Sequence, residues 1–183
     1  MADRTQITPR KFTRRIYRNL GEVLDDFRYI WQRRSLVRRA MRELISFAFR
    51  ERLMMVVTEV NGCRYCSYYH ARLSLNAGIS GDELRELLAG SIPPNTPQDE
   101  LPALAYAQHW AESNAHPDPE ARQRLVEIYG EEKAEAIEIV LRMIRSGNLS
   151  GNLLDYWLYR LSFGRLGLRE GEERYAPRPS LQS

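Results

Sequence analysis

The chain has 183 residues, 43% hydrophobic and 28% charged, with a formal net charge of +3, which fits one globular domain with a substantial core. No run approaches the ~18 apolar residues of a spanning helix, and the opening MADRTQITPRKFTRR lacks the apolar centre of a secretory leader. We therefore expect a soluble cytoplasmic protein with no membrane partner. The charge is uneven: residues 1–52 carry a net +8 and residues 53–183 a net −5. The basic residues interleave with a helical apolar pattern instead of massing in one block, which reads as a solvated or subunit-facing surface. Nucleic acid is not the expected partner.

Residues 1–18 read as a basic arm, with Pro9 blocking early helix. From Asn19, a candidate cap, Leu20, Val23, Leu24, Phe27, Ile30 and Trp31 recur at steps of three and four, the mark of an amphipathic helix. Ser35 is the expected cap of the next helix. Its apolar face is Leu36, Val37, Ala40, Met41, Leu44 and Ile45, and it bends or ends between Ser46 and Arg50. The run Leu53 to Val60 is almost continuously apolar. Periodicity alone does not separate buried helix from buried strand there, but the chain offers no other strand-like run to pair with, so helix is expected. Asn61-Gly62 stops it, and a new helix starts near Cys63 and runs through Leu75 to Asn76-Ala77-Gly78. Ser80 caps a short helix to Ala89, with Asp82 and Glu83 placed to suit the helix dipole.

Residues 90–102, with four prolines, are a loop. A helix follows from about Leu101 to Ser113, with Leu104, Ala105, Ala107, Gln108 and Ala111 inward. After the NAHPDPE turn, Asp118 and Pro119 start a helix to Tyr129. Another covers Glu131 to Arg145, Gly147-Asn148 breaks the pattern, and a last helix spans Ser150 to Phe163. Gly147-Asn148 with Asp155 echoes Gly62-Cys63 with His70, each read as a helix break before an aromatic-rich helix. Trp31, Trp110 and Trp157 read as core or interface, and Tyr68 and Tyr69 as packing residues. His109 and His116 read as structural or exposed. The expectation is an all-α protein of mostly antiparallel neighbouring helices: an arm (1–18), one helical domain (19–168) and a polar tail (169–183).

The chemistry concentrates in ERLMMVVTEVNGCRYCSYYH, residues 51–70, which holds both cysteines. Cys63, Cys66 and His70 are i, i+3 and i+7 on one helical face. A thiol reacts as thiolate. A helix N-terminus, the Arg64 cation between the cysteines, and His70 as proton acceptor all favour that form at Cys63 or Cys66. Glu51 and Glu59 are candidates to orient His70. Once one sulfur is oxidised to sulfenic acid, its neighbour can close a disulfide, which a reductant reopens. Two other readings stay open. The cysteines can be a buried core pair, or Cys63, Cys66 and His70 with a glutamate can hold a metal. No second Cys or His pair completes a usual structural zinc site, so no metal and no cofactor beyond a redox-active disulfide is expected.

Glu51, Cys63, Cys66 and His70, in the order RERL…NGCRYCSYYH, together with the following GISGDEL, resemble the signature of the alkyl hydroperoxidase D-like proteins, within the carboxymuconolactone decarboxylase superfamily. The similarity covers about residues 44–90, and as a helix pattern 100–163. It implies an alkyl hydroperoxidase D-like helical bundle assembled as a trimer or hexamer. It also implies antioxidant peroxidase activity fed by a dithiol donor such as a lipoylated protein. By this resemblance Cys66 attacks the peroxide, Cys63 resolves, and Glu51 and His70 relay the proton, whereas position in the helix by itself favours Cys63 as the activated thiol. Tyr65 stands where the peroxidase that names the family carries a second histidine. Arg64, Tyr65 and Glu59 are secondary candidates. Two alternatives are a different enzymatic chemistry on the same fold, such as the lactone decarboxylation of true carboxymuconolactone decarboxylases, and a non-enzymatic binder using the basic N-terminal region.

Overall fold

A computed structural model describes residues 12–168, so residues 1–11 of the expected arm and the expected tail 169–183 lie outside the described residues. The described chain is all-α, as its periodicity predicts, with eight helices and no strand. The helices are α1 (Leu20–Gln32), α2 (Arg34–Arg39), α3 (Phe47–Asn61), α4 (Arg64–Asn76), α5 (Gly81–Leu88), α6 (Leu101–Glu112), α7 (Pro119–Tyr129) and α8 (Glu131–Leu161).

Helix α3 is the axle of the fold. Every residue from Glu51 to Thr58 is buried, because α8, α6, α4 and α5 all pack around it. A helix covered on all sides has no polar stripe, which is why its sequence reads as a continuous apolar run. Leu53, Met55 and Val57 are fully enclosed, each contributing on the order of 1.5–3 kcal/mol by leaving water. Ser46 opens α3 by accepting the Phe49 N–H at 3.2 Å, and Gly62 closes it with φ +72°, a left-handed conformation that glycine adopts without strain. Asn19 and Ser80 cap α1 and α5 as expected, each accepting the N–H three residues on, at 3.0 and 3.1 Å. One buried cation ties α3 to its neighbours: Arg52 donates to Glu83 at 2.6 Å and to Glu100 at 3.0 Å.

Several sequence expectations change. Arg33 ends α1 and begins α2 in one residue, so Ser35 falls inside the first turn and caps nothing. α2 then widens into a π-helical turn, Ala40–Leu44. In α6 the inward residues include Ala103, Tyr106 and Trp110, while Ala105 is exposed. The largest correction is Gly147-Asn148. α8 runs straight through it for 31 residues, about 46 Å at the usual rise. A glycine inside a helix costs about 1 kcal/mol. Buried contacts on either side, Ile144, Asn148 and Leu149, outweigh that. The echo of Gly62-Cys63 therefore has no helix break behind it.

α1 is turned the other way from its apolar pattern. Its buried residue is Asp26, 1% exposed, which accepts from Tyr17 at 2.9 Å, from Arg142 at 2.8 Å, and from Arg145. Holding that carboxylate inward leaves Leu20, Leu24, Phe27 and Trp31 facing out, all more than half exposed. Trp110 is core, whereas Trp31 and Trp157 are exposed, as are Tyr68 and Tyr69.

Candidate functional site

The sequence places Cys63 immediately after the Gly62 turn, and the structure makes it the N-cap of α4. Its sulfur accepts the Cys66 N–H at 3.4 Å and lies 2.9 Å from the Cys66 sulfur. Both cysteines are free thiols. A disulfide of about 2.05 Å is one short movement away. The two sulfurs are not equivalent. Cys63 is fully buried, and Cys66, one turn into α4, is partly exposed.

His70 follows Cys66 by one turn on the same face of α4. Its Nδ1 is 2.7 Å from Oε2 of Glu51, a side chain 1% exposed on α3. An ionised carboxylate only accepts, so the ring proton sits on Nδ1 and Nε2 remains the acceptor. Tyr69 packs edge-on to the imidazole at 5.3 Å, and Arg50 lies 3.6 Å from the other Glu51 oxygen. Glu51, Cys63, Cys66 and His70 thus come together from α3 and the start of α4. Glu59 does not join them. It is eight residues past Glu51, and it lines a separate cavity of about 200 Å³ with Val56, Leu87, Ile92 and Gln108.

The electrostatics separate the thiols further. Cys63 is pulled down to about 6, first by the hydrogen bond from Cys66, against burial, with help from the N–H groups of Cys66 and Tyr65 and from the charge of Arg14. Cys66 moves the other way. Donating to Cys63 and burial both push its thiol up, while a hydrogen bond from Asn148 opposes them. Both directions favour thiolate character at Cys63 over Cys66. The cation among these causes is Arg14 and not the expected Arg64. Arg64 donates to Asp155 at 2.7 Å, and Tyr65 donates to the same oxygen at 2.7 Å.

A second tier of the site comes from α8 and from the described part of the arm, and sequence reading missed it. Asn148, Gly151, Asn152 and Asp155 follow at i, i+3, i+4 and i+7, and the three polar ones are 0% exposed. Asn148 donates to Thr58 at 3.1 Å and accepts from Asn61 at 3.2 Å. Asn152 donates to the Asn61 carbonyl at 2.8 Å, which fixes the end of α3. Gly151 makes room for the thiol: a methyl there would lie 2.9 Å from the Cys63 sulfur. Burial alone would raise the Asp155 carboxyl, but hydrogen bonds from Arg14, Tyr65 and Arg64 reverse that and hold it below the usual range. The available signal was a polar and small stripe at helical spacing, where an amphipathic helix carries apolar residues. Among the described residues no three His, Cys, Asp or Glu side chains are grouped to hold a metal ion, and no helix is long and apolar enough to cross a membrane.

An all-helical chain that sets a close pair of thiols against a carboxylate-held imidazole is a helical dithiol protein. Residues 24–112, which contain all four of those side chains, match the carboxymuconolactone decarboxylase family, whose superfamily includes the alkyl hydroperoxidase D-like proteins. No curated protein and no solved structure matches the chain.

Proposed function

We propose that the protein is a cytoplasmic thiol-dependent peroxidase or disulfide oxidoreductase that cycles Cys63 and Cys66 between dithiol and disulfide. The observation that carries this reading is the sulfur pair at 2.9 Å, whose more accessible member lies one turn from an imidazole held by Glu51. In the proposed cycle His70 Nε2 takes the Cys66 proton, and the Cys66 thiolate attacks the peroxide. One oxygen is transferred to sulfur, and the leaving alkoxide or hydroxide takes a proton back from His70. The Cys63 thiolate then attacks the Cys66 sulfenic sulfur and displaces hydroxide, which leaves as water with one further proton. A dithiol reductant, such as a lipoylated protein, reopens the disulfide and is itself oxidised to a disulfide. The reductant meets the accessible Cys66 sulfur and expels Cys63, and a thiolate of low pKa leaves faster. Charge location and reactivity are thus divided between the two sulfurs. Cys63 is the stabilised anion and leaving group, and Cys66 is the point of contact with substrate and reductant.

The exposed apolar face of α1 and the exposed Tyr68, Tyr69 and Trp157 support a homo-oligomer, a trimer or hexamer.

The test is thiol titration before and after one equivalent of hydrogen peroxide or an organic peroxide, with mass spectrometry of the peptide spanning 63–66. The expected result is rapid loss of two thiols and a Cys63–Cys66 disulfide, with Cys66→Ser abolishing peroxide turnover. Two unreactive thiols would end this reading. Turnover of a lactone substrate that survives Cys66→Ser would favour the decarboxylase chemistry of the family name.

A further inference from the structure

Helix α8 holds one aromatic side chain of α4 beside the buried sulfur. A Cβ added at Gly151 would lie 2.9 Å from the Cys63 sulfur and 3.5 Å from Cδ2 of the Tyr65 ring. Sulfur and ring edge therefore meet over the same bare Cα. One turn further along α8, on the same face, Asp155 accepts the Tyr65 hydroxyl at 2.7 Å. That carboxylate is fully buried and is also bound by Arg64 at 2.7 Å and by Arg14 at 2.5 Å, so the anchor is itself held. Arg64 donates to the phenol oxygen at 2.9 Å, with its guanidinium 4.8 Å from the ring centre. One element thus supplies both the gap in which the ring edge rests and the acid that fixes its hydroxyl.

The exposures divide along this ring. Tyr65 is 42% exposed and Cys63 0%, so the ring meets solvent on one side and reaches the α8 backbone beside the sulfur on the other. Cys66, the next residue of α4, is partly exposed. The cycle proposed above gives Tyr65 no chemical step, and its seat on Gly151 and its bond to Asp155 are left without a purpose there. A steric one fits them, because it needs only a ring fixed in place. Gly151 and Asp155 lie outside the matched residues 24–112, so the fixing is done by a part of the chain beyond the family match.

We infer that Tyr65, pinned to Asp155 over Gly151, is a specificity-determining residue that covers the Cys63 sulfur and confines attack by substrate and reductant to Cys66. This rests on the dithiol reading above. In reduction, a thiolate of the dithiol donor attacks the Cys66 sulfur. The sulfur–sulfur bond breaks, and its electron pair goes to Cys63. The donor's second thiol gives up its proton and attacks the donor sulfur bonded to Cys66. The donor leaves as a disulfide, and Cys66 takes that proton. Attack at Cys63 would instead leave the donor tethered to the buried sulfur, and the ring closes that route.

The test uses the full chain and its Tyr65→Ala and Tyr65→Phe variants. Reduced protein is treated at neutral pH with less than one equivalent of iodoacetamide, and mass spectrometry of the peptide spanning 63–66 identifies the labelled sulfur. Charge and cover pull in opposite directions in this reaction. Cys63, lowered to about 6, is the better anion, and the ring shields it. Wild type is expected to label at Cys66. Tyr65→Ala keeps the backbone N–H that bonds Cys63 and removes the ring. Its label should reverse to favour Cys63 about tenfold, the order of the thiolate excess of such a thiol over an ordinary one. Tyr65→Phe keeps the ring without its anchor and should fall between the two. Opening the oxidised chain with glutathione should place the mixed disulfide on Cys66 in wild type and add a Cys63 share in Tyr65→Ala. Label or glutathione on Cys63 of wild type, or either distribution unmoved by Tyr65→Ala, overturns the inference and leaves the proposed function standing. A Tyr65→Phe pattern equal to wild type removes Asp155 from it. A wild type that forms no disulfide overturns both.

Discussion

In the proposed cycle Cys63 is a buried sulfur that must be an anion and then move about an ångström. Two neighbours decide whether it does so: the Cys66 thiol that donates to it and the bare Cα of Gly151 beneath it. Gly151→Ala tests the second. Alanine improves helix propensity by about 1 kcal/mol, and overpacking costs about 1–3 kcal/mol, so stability should change little. The sulfur, however, is displaced from its partner. Misplacement by about 1 Å can slow an oriented reaction about 100-fold. Stopped-flow oxidation followed by sulfenate trapping should show normal attack at Cys66, slowed disulfide closure, and an accumulated sulfenic acid. Unchanged closure would mean that the Cys63 sulfur has room the structure does not give it. The pH profile belongs to this scale too. The Cys63 anion persists above its folded value of about 6, so closure should fall away as pH drops through that value.

At the scale of the element, α8 is the unexpected part of the structure. It is one rod with two faces in succession. Ile137, Val140, Leu141 and Ile144 are core, and beyond them the stripe Asn148–Asp155 is buried and polar. Such a helix survives an internal glycine because its neighbours hold it, and a Cβ added at Gly147 would meet no side chain or neighbouring element within 4 Å among the described residues. Gly147→Ala should therefore stabilise the protein by roughly 0.5–1 kcal/mol, read as a higher denaturant midpoint with unchanged slope. A destabilised variant would show that the helix is in fact interrupted there. Gly151, four residues on, is also in the helix but lies against the sulfur, so of the two glycines of α8 only Gly151 should alter disulfide kinetics when replaced by alanine.

On the whole molecule, the notable surface is the face of α1. Leu20, Leu24, Phe27 and Trp31 repeat along it, with Phe27 and Trp31 stacked at 5.9 Å, and its buried acid is bound by two arginines of α8. Turning the apolar side inward would strip Asp26 of those partners, and a buried pair broken on one side costs about 3–5 kcal/mol. The face is committed to the outside, where a second copy of the chain is the occupant that the proposed trimer or hexamer supplies. Leu24→Glu with Trp31→Glu should yield a smaller species by light scattering, with the helical signal retained. An unchanged mass would place the subunit contact elsewhere.

What was legible in the sequence was local. Asn19, Ser46 and Ser80 are short polar side chains that satisfy helix-start N–H groups, although Ser46 was read only as a bend. Gly62 marked a stop because a left-handed residue is cheap only for glycine. The C-x-x-C and its histidine one turn on shared a face because 3.6 residues make a turn. Tertiary structure decided whatever depended on what lies across from a side chain. Glu59 and Glu51 looked equivalent until their helix was surrounded, and Arg64 looked like the activating cation until Asp155 arrived from 91 positions away. Arg14 looked like part of a loose arm, yet its guanidinium reaches Asp155 and its stem lies against Gly62. Local propensity acts over one turn and is written in neighbouring residues. The charge on a buried sulfur is set by desolvation and by cations a few ångströms off, which only the packing of distant segments brings within reach.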